Sequence, residues 1–237
     1  MTTNMKSTFR IFESFQNSVV AGFSDRRYDA LRRADFLEEL GLLSKQIYLV
    51  KQVHGENIVR ITADTNPTNA VMADGLITSL KGISIGILTA DCVPVFFWDS
   101  AKQVIGIAHA GWRGAMHGIA AKMISAFQQN FNSQPENIYV GIGPCIRQSA
   151  YEVGSEFEAM FPGFYQASSV QDKGYLDLAG FVKDSLINTG VLAEHIEDCE
   201  LCTFKEQDHF YSYRRENQTS ERILSVISMQ GENDESK

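Results

Sequence analysis

His54, Cys92 and His109 are the residues of this chain whose types suit chemistry best. His54 lies in KQVHGEN, Cys92 in LTADCVP between an apolar run and a proline, and His109 in GIAHAGWRG. Two imidazoles and one thiolate suit zinc, and three protein ligands leave a fourth position for water or substrate. Copper takes the same donors and stands second to zinc here. The separations are long-range and match no short metal-binding signature. The same residues also read as a thiol nucleophile with a histidine base, acting on an amide. A second set, His195, Cys199, Cys202 and His209, includes a Cys-x-x-Cys. IEDCELCTF reads as a strand, however, where residues three apart point to opposite faces, so packing is the reading kept there.

Basic and acidic residues flank the first set. Arg113 stands in a glycine-flanked turn at a predicted helix start, a natural place for an anion because free backbone N–H groups and the helix dipole meet there. Arg214 and Arg215 follow FYSY as a second basic lip, and on a regular strand one of the two would face a site. Asp74, ahead of Gly75 in ADGLIT, reads as a carboxylate that supports a ligand, contacts substrate or makes a turn.

The elements that must position these groups interleave strands and helices. Apolar runs predict strands over 9–15, 19–23, 47–53, 58–62, 75–78, 83–89, 93–99, 104–108, 137–142, 196–204 and 223–229. Helical spacing predicts helices over 28–43, 115–131, 152–161 and 177–189. His54-Gly55-Glu56-Asn57 makes a turn between two strands, and His54 and His109 fall at strand ends. Several strands are joined by hairpin-length turns, which predicts an α+β domain with mixed sheets packed against helices, in preference to a doubly wound one. No linker or internal repeat divides residues 1–237, so a single domain is expected, with the polar stretch 231–237 as a frayed tail.

Composition bounds the function. A chain of 237 residues with 44% hydrophobic and 21% charged residues has the material for a sizeable core. A formal net charge of −8 argues against nucleic acid as a partner, since phosphate neutralisation needs a basic footprint. It leaves room for a small anion held by two or three placed arginines. No signal-like apolar segment opens the chain, and the runs 83–88 and 93–98 are too short to cross a bilayer. Four cysteines without such a signal fit a reducing cytoplasm, so a cytoplasmic protein without a membrane partner is expected. No heptad or apolar helix stripe specifies an oligomer.

The segments KQVHGENIV, ADGLIT, LTADCVPVFFWD, AHAGWRG and FYSYRR resemble, in this order, those of the YfiH-like family, over most of the chain from His54 to Arg215. That family is also catalogued as multicopper polyphenol oxidoreductases, as peptidoglycan-editing factors and as purine nucleoside phosphorylases. The resemblance implies a CNF-toxin-like α/β sandwich, with His54, Cys92 and His109 as ligands of a zinc ion. It implies purine nucleosides and phosphate as small-molecule substrates (adenosine, inosine, guanosine and methylthioadenosine), with adenosine deamination as a related activity. Lys51, Gln52, Asp74, Arg113, Arg214 and Arg215 are then the expected substrate and phosphate contacts. Lys51 replaces an arginine common at that position, Val182 stands for an asparagine, and Ser220-Glu221-Arg222 for a Gly-Arg pair. The peptidoglycan label implies the amidase alternative. A literal multicopper site needs on the order of ten histidines, against 5 in this chain.

Overall fold

The computed structural model describes residues 8–42, 46–66 and 71–230. In chain order the strands are β1 (Val19–Phe23), β2 (Gln46–Leu49), β3 (Ile58–Arg60), β4 (Gly75–Thr78), β5 (Ile83–Thr89), β6 (Val93–Asp99), β7 (Val104–Ala110), β8 (Ile138–Ile142), β9 (Glu152–Gly154), β10 (Tyr165–Ala167), β11 (Lys173–Leu176), β12 (Ile196–Asp198) and β13 (Ile223–Met229). The helices are α1 (Arg10–Glu13), α2 (Arg33–Glu39), α3 (Trp112–Met116), α4 (Ile119–Phe131), α5 (Phe157–Met160) and α6 (Leu178–Asn188). The mixed α+β domain expected from the sequence is the one observed.

Two mixed sheets form a sandwich. One has the order β1-β13-β5-β2 and the other β12-β8-β6-β7-β4-β3, each with a parallel pairing at an edge; β10-β11-β9 is a small antiparallel sheet. Alternation along the strands sorts side chains to opposite faces. Val95, Phe97 and Ala108 of the six-stranded sheet pack on Met123 and Phe127 of α4 and Leu186 of α6. Phe96, Trp98, Ile105 and Ile107 pack instead on Ile85, Ile87 and Ile227 of the four-stranded sheet. Covered on both faces, β6 and β7 are buried at every position. That explains their unbroken apolar runs. The far side of the four-stranded sheet is closed by Phe36 of α2, with Tyr28 and Leu42, over Leu224 and Val226.

Several elements differ from expectation. Residues 9–15 hold α1 and not a strand, because Phe9 and Phe12, three apart, turn into the sheet interface together. The helix expected over 28–43 is only α2, since Asp29 accepts the N–H groups of Leu31 and Arg32 in a turn ahead of it. Residue 43, like the expected frayed tail 231–237, lies outside the described residues. The helix expected over 115–131 begins earlier and breaks at Gly118, whose φ of +79° suits glycine. Residues 152–161 split into β9 and α5. The strand expected over 196–204 stops at Asp198, whose carboxylate is gripped by Arg147 at 2.7 and 2.6 Å, and Glu200 turns with φ +58°.

Candidate metal centre and cavity

Two of the three chemical residues lie where the chain crosses between the sheets. Residues 90–92 carry it from β5 of one sheet to β6 of the other, and Cys92 is the last of them. His54 lies between β2 and β3, which also belong to different sheets. His109 sits within β7, paired opposite Pro94. It alternates with Ala108 and Ala110, so it shares the face of Ile105 and Ile107, toward the four-stranded sheet. The ligand atoms of His54, Cys92 and His109 lie within 4.8 Å of one another, the one such group among the described residues. The rings of His54 and His109 meet edge to face with centroids 4.8 Å apart.

Asp74 holds this arrangement from behind. It is fully buried, and its Oδ1 lies 2.8 Å from His109 Nδ1. The same carboxylate accepts the successive N–H groups of Val53, His54 and Gly55 at 3.2, 3.0 and 2.7 Å. His54 has φ +58°, a left-handed conformation that histidine tolerates better than most residues. Consecutive N–H groups around such a residue form an anion-binding nest, and Asp74 fills it. Burial alone would raise the Asp74 carboxyl, but the His109 and backbone donors outweigh it and hold it below its ordinary value. Burial would likewise raise the Cys92 thiol and lower the His109 imidazole. Their mutual attraction wins, with Asp74 adding to His109, so Cys92 is pushed toward thiolate and His109 toward imidazolium.

The group opens onto a cavity of about 700 Å³, within the range of roughly 300–1,000 Å³ common for small-molecule sites. Its wall carries Arg113, Arg214 and Arg222, the rings of Trp112, Tyr151 and Tyr213, and an apolar part that includes Val50, Leu88 and Leu178. Arg113 lies over the Trp112 ring at 4.4 Å, and its guanidinium makes no hydrogen bond or ion pair among the described residues. Arg214 lies over Tyr151 at 5.4 Å and donates to the Glu152 carbonyl at 2.7 Å. Asp91, also on the wall, has φ +90°. Its carboxylate accepts from the hydroxyls of Thr203 and Ser212 and the N–H of Arg214, at 2.6, 3.0 and 2.7 Å. It thereby ties the Cys92 turn to the segment that carries Arg214.

The expected contacts therefore separate. Arg113 and Arg214 reach the cavity. Arg215 does not: its guanidinium donates to the carbonyls of Thr203, Phe204 and Phe210 and to Glu216, because FYSYRR is a turn and not a strand. Lys51 is exposed off the wall, with its backbone bridged to Met72. Gln52 is on the wall, but its amide is closed in a two-way bond with the backbone of Leu88, 2.8 Å each way. Asp74 stands behind His109 and off the wall. The second set stays apart, as its strand reading suggested on other grounds: His195 stacks on Tyr139, Cys199 lies beside Arg147, and Cys202 is buried as the bridge partner of Cys145.

The family described as multi-copper polyphenol oxidoreductase laccase matches residues 14–230. The purine nucleoside phosphorylase YfiH of Escherichia coli is 35% identical over 191 residues, which cover 78% of this chain and 74% of that protein. The purine nucleoside phosphorylase YlmD of Bacillus subtilis is 29% identical over 219 residues, 86% of this chain and 79% of that one. The crystal structure of YlmD from Geobacillus stearothermophilus superposes with a TM-score of 0.86 at 26% identity, covering 97% of this chain and 98% of its own. The chain belongs to this family, with the YfiH and YlmD proteins as its relatives. Among the described residues, no helix is long and apolar enough to cross a membrane.

Proposed function

We propose that this member of the family is a zinc-dependent purine nucleoside phosphorylase. The observation that carries the reading is a His54, Cys92, His109 donor group facing one cavity with Arg113, Arg214 and Arg222. The donor set fits zinc. Bonds of about 2.0–2.3 Å place tetrahedral ligand atoms about 3.5 Å apart, so a spread of up to 4.8 Å closes on the ion with small side-chain rotations. Asp74 accepts the Nδ1 proton of His109 and leaves Nε2 as the ligand, the usual support for a metal-bound imidazole. A bound zinc would supply positive charge and a water acidic enough to act as a nucleophile near neutral pH.

The rest of the chemistry belongs to the chain. Arg113 has a free guanidinium that suits two phosphate oxygens at once, and Arg214 and Arg222 add charge on the same wall. Trp112, Tyr151 and Tyr213 offer ring faces to a purine, while Val50, Leu88 and Leu178 exclude water beside it. Adenosine, inosine, guanosine and methylthioadenosine share the parts these groups recognise, and deamination of adenosine belongs to the same reading. A multicopper oxidase does not, because 5 histidines supply one donor cluster among the described residues. The charge-paired Cys92 and His109 favour one second reading, a thiol amidase acting on peptidoglycan precursors. A zinc ion on the sulfur would preclude it.

The test is to incubate metal-analysed protein with adenosine and with inosine, with and without phosphate, and follow base release by chromatography. Release of adenine or hypoxanthine only with phosphate is expected, and inosine formed from adenosine would add deamination. Zinc-loaded protein that turns over neither nucleoside would overturn the reading.

Gly111 gives a separate prediction. A Cβ there would lie 3.2 Å from Cys92 Sγ and 3.1 Å from His54 Cδ2. Gly111→Ala is expected to push two ligands out of place and weaken zinc binding about 10-fold, the scale of a disturbed ligand shell. Competition against a chelator would measure it, and unchanged affinity would mean that the two side chains yield without cost.

A further inference from the structure

Phosphorolysis breaks the bond between C1′ and N9, and the purine leaves with the electron pair. Protonation at N7 makes that departure easier, so a proton donor on the cavity wall is required of the proposed reaction, on which this inference rests. The wall offers few. His54, Cys92 and His109 are engaged as ligands, arginine does not release its proton, and the Asp91 carboxylate already accepts from three donors.

Tyr151 remains. It is half-buried on the same wall as Cys92 and Arg113, and its hydroxyl makes no hydrogen bond among the described residues. Its backbone is well fixed: the N–H donates to the carbonyls of Arg147 and Gln148 at 3.0 and 3.1 Å, and its carbonyl accepts from Leu176 at 3.1 Å. The Arg214 guanidinium, 5.4 Å from the ring centroid, places positive charge beside the phenol. Burial and the nearby Cys92 and Asp91 charges push the phenol up, keeping it protonated until transfer, and the Arg214 charge opposes that rise. Tyr213, the other phenol on the wall, is 44% exposed and therefore shares its proton with solvent.

We propose that Tyr151 is the general acid that protonates the departing purine. An oxygen of hydrogenphosphate bonds to C1′ as the C1′–N9 bond breaks, the pair passes into the base, and N7 takes the Tyr151 proton. The phenolate recovers a proton from the one that the attacking hydrogenphosphate oxygen sheds, carried through water in the cavity. Nothing is oxidised or reduced, and the products are the neutral base and ribose 1-phosphate.

The experiment compares wild type, Tyr151→Phe and Tyr213→Phe on inosine and on 7-methylinosine, whose cationic base needs no proton at N7. Zinc content and melting temperature are followed for each protein. Tyr151→Phe is expected to lower kcat for inosine by about 10²–10³-fold, leave 7-methylinosine near the wild-type rate, and keep its zinc. Tyr213→Phe is expected to treat both substrates alike. An equal loss on both substrates for Tyr151→Phe, undiminished turnover of inosine, or the selective loss appearing in Tyr213→Phe would overturn the assignment. A wild-type protein inert toward both nucleosides would sink the phosphorylase reading and the general acid with it, whereas an active wild type with an unselective variant would sink the general acid alone.

Discussion

Cys92→Ala is expected to emerge from gel filtration without zinc and to phosphorolyse inosine at least about 10³-fold more slowly than wild type, the several kcal/mol that a metal centre supplies at 1.4 kcal/mol per decade. Of the three proposed ligands only Cys92 brings negative charge, and the geometry draws its thiol toward the thiolate that metals bind. Alanine would leave two imidazoles, one exposed and one buried, too few donors to hold zinc against dialysis. Unfolding is not the expected cause. The turn carrying Cys92 lies between β5 and β6, whose pairings with β13, β2, β7 and β8 do not involve its sulfur. Loss of one half-buried thiol should cost about 1 kcal/mol. Zinc per chain and initial rate are to be measured on the same preparation. A variant that keeps its zinc and loses its turnover would mean that Cys92 does not hold the ion and acts on the substrate directly.

Legibility in the sequence followed burial. The bounds expected for the strands at 75–78, 83–89, 93–99 and 223–229 are the observed ones. These strands lie inside the sandwich, where neighbours on both faces demand continuous apolar runs. Periodicity misled where side chains other than the apolar ones decide the backbone. The 196–204 run reads as a strand until the salt bridge from Arg147 to Asp198 ends it. The 28–43 run reads as a long helix because it is apolar at helical spacing, although an Asp29 turn occupies its start.

The site was legible in parts. His54, Cys92 and His109 stand out as reactive types beside turns, but no spacing argument joins residues that topology brings together from two sheets. Arg214 and Arg215 are indistinguishable in sequence, and the turn at 212–216 decides between them by closing Arg215 onto backbone carbonyls. Asp91 is adjacent to Cys92 and could have been suspected from that alone. Tyr151 follows a short helical turn with no motif around it, so only the fold brings it to the cavity.

Asp74→Asn tests the support of the site with a change of one atom. The carboxylate accepts from four N–H groups, those of Val53 and Gly55 on Oδ2 and those of His54 and His109 on Oδ1. An amide cannot serve both sides. With its NH₂ toward Val53 and Gly55, two part-buried backbone donors face a third. With its NH₂ toward His54 and His109, the imidazole must accept at Nδ1, and its proton moves to Nε2, where it blocks the metal. Either orientation costs the site. Zinc affinity is expected to fall about 10–100-fold, and stability at neutral pH by about 1–3 kcal/mol, the scale of an N–H group that loses its acceptor. The pH dependence follows from the depressed carboxyl. A group whose pKa is lower folded than unfolded contributes its stability above the unfolded value, about 3.9, and loses it as pH falls through the folded value. Urea unfolding of the wild type should therefore show stability falling away below about pH 4, and the variant a flatter curve there. Equal stability, equal zinc affinity and the same acid slope in the two proteins would mean that Asp74 only fills space behind His109.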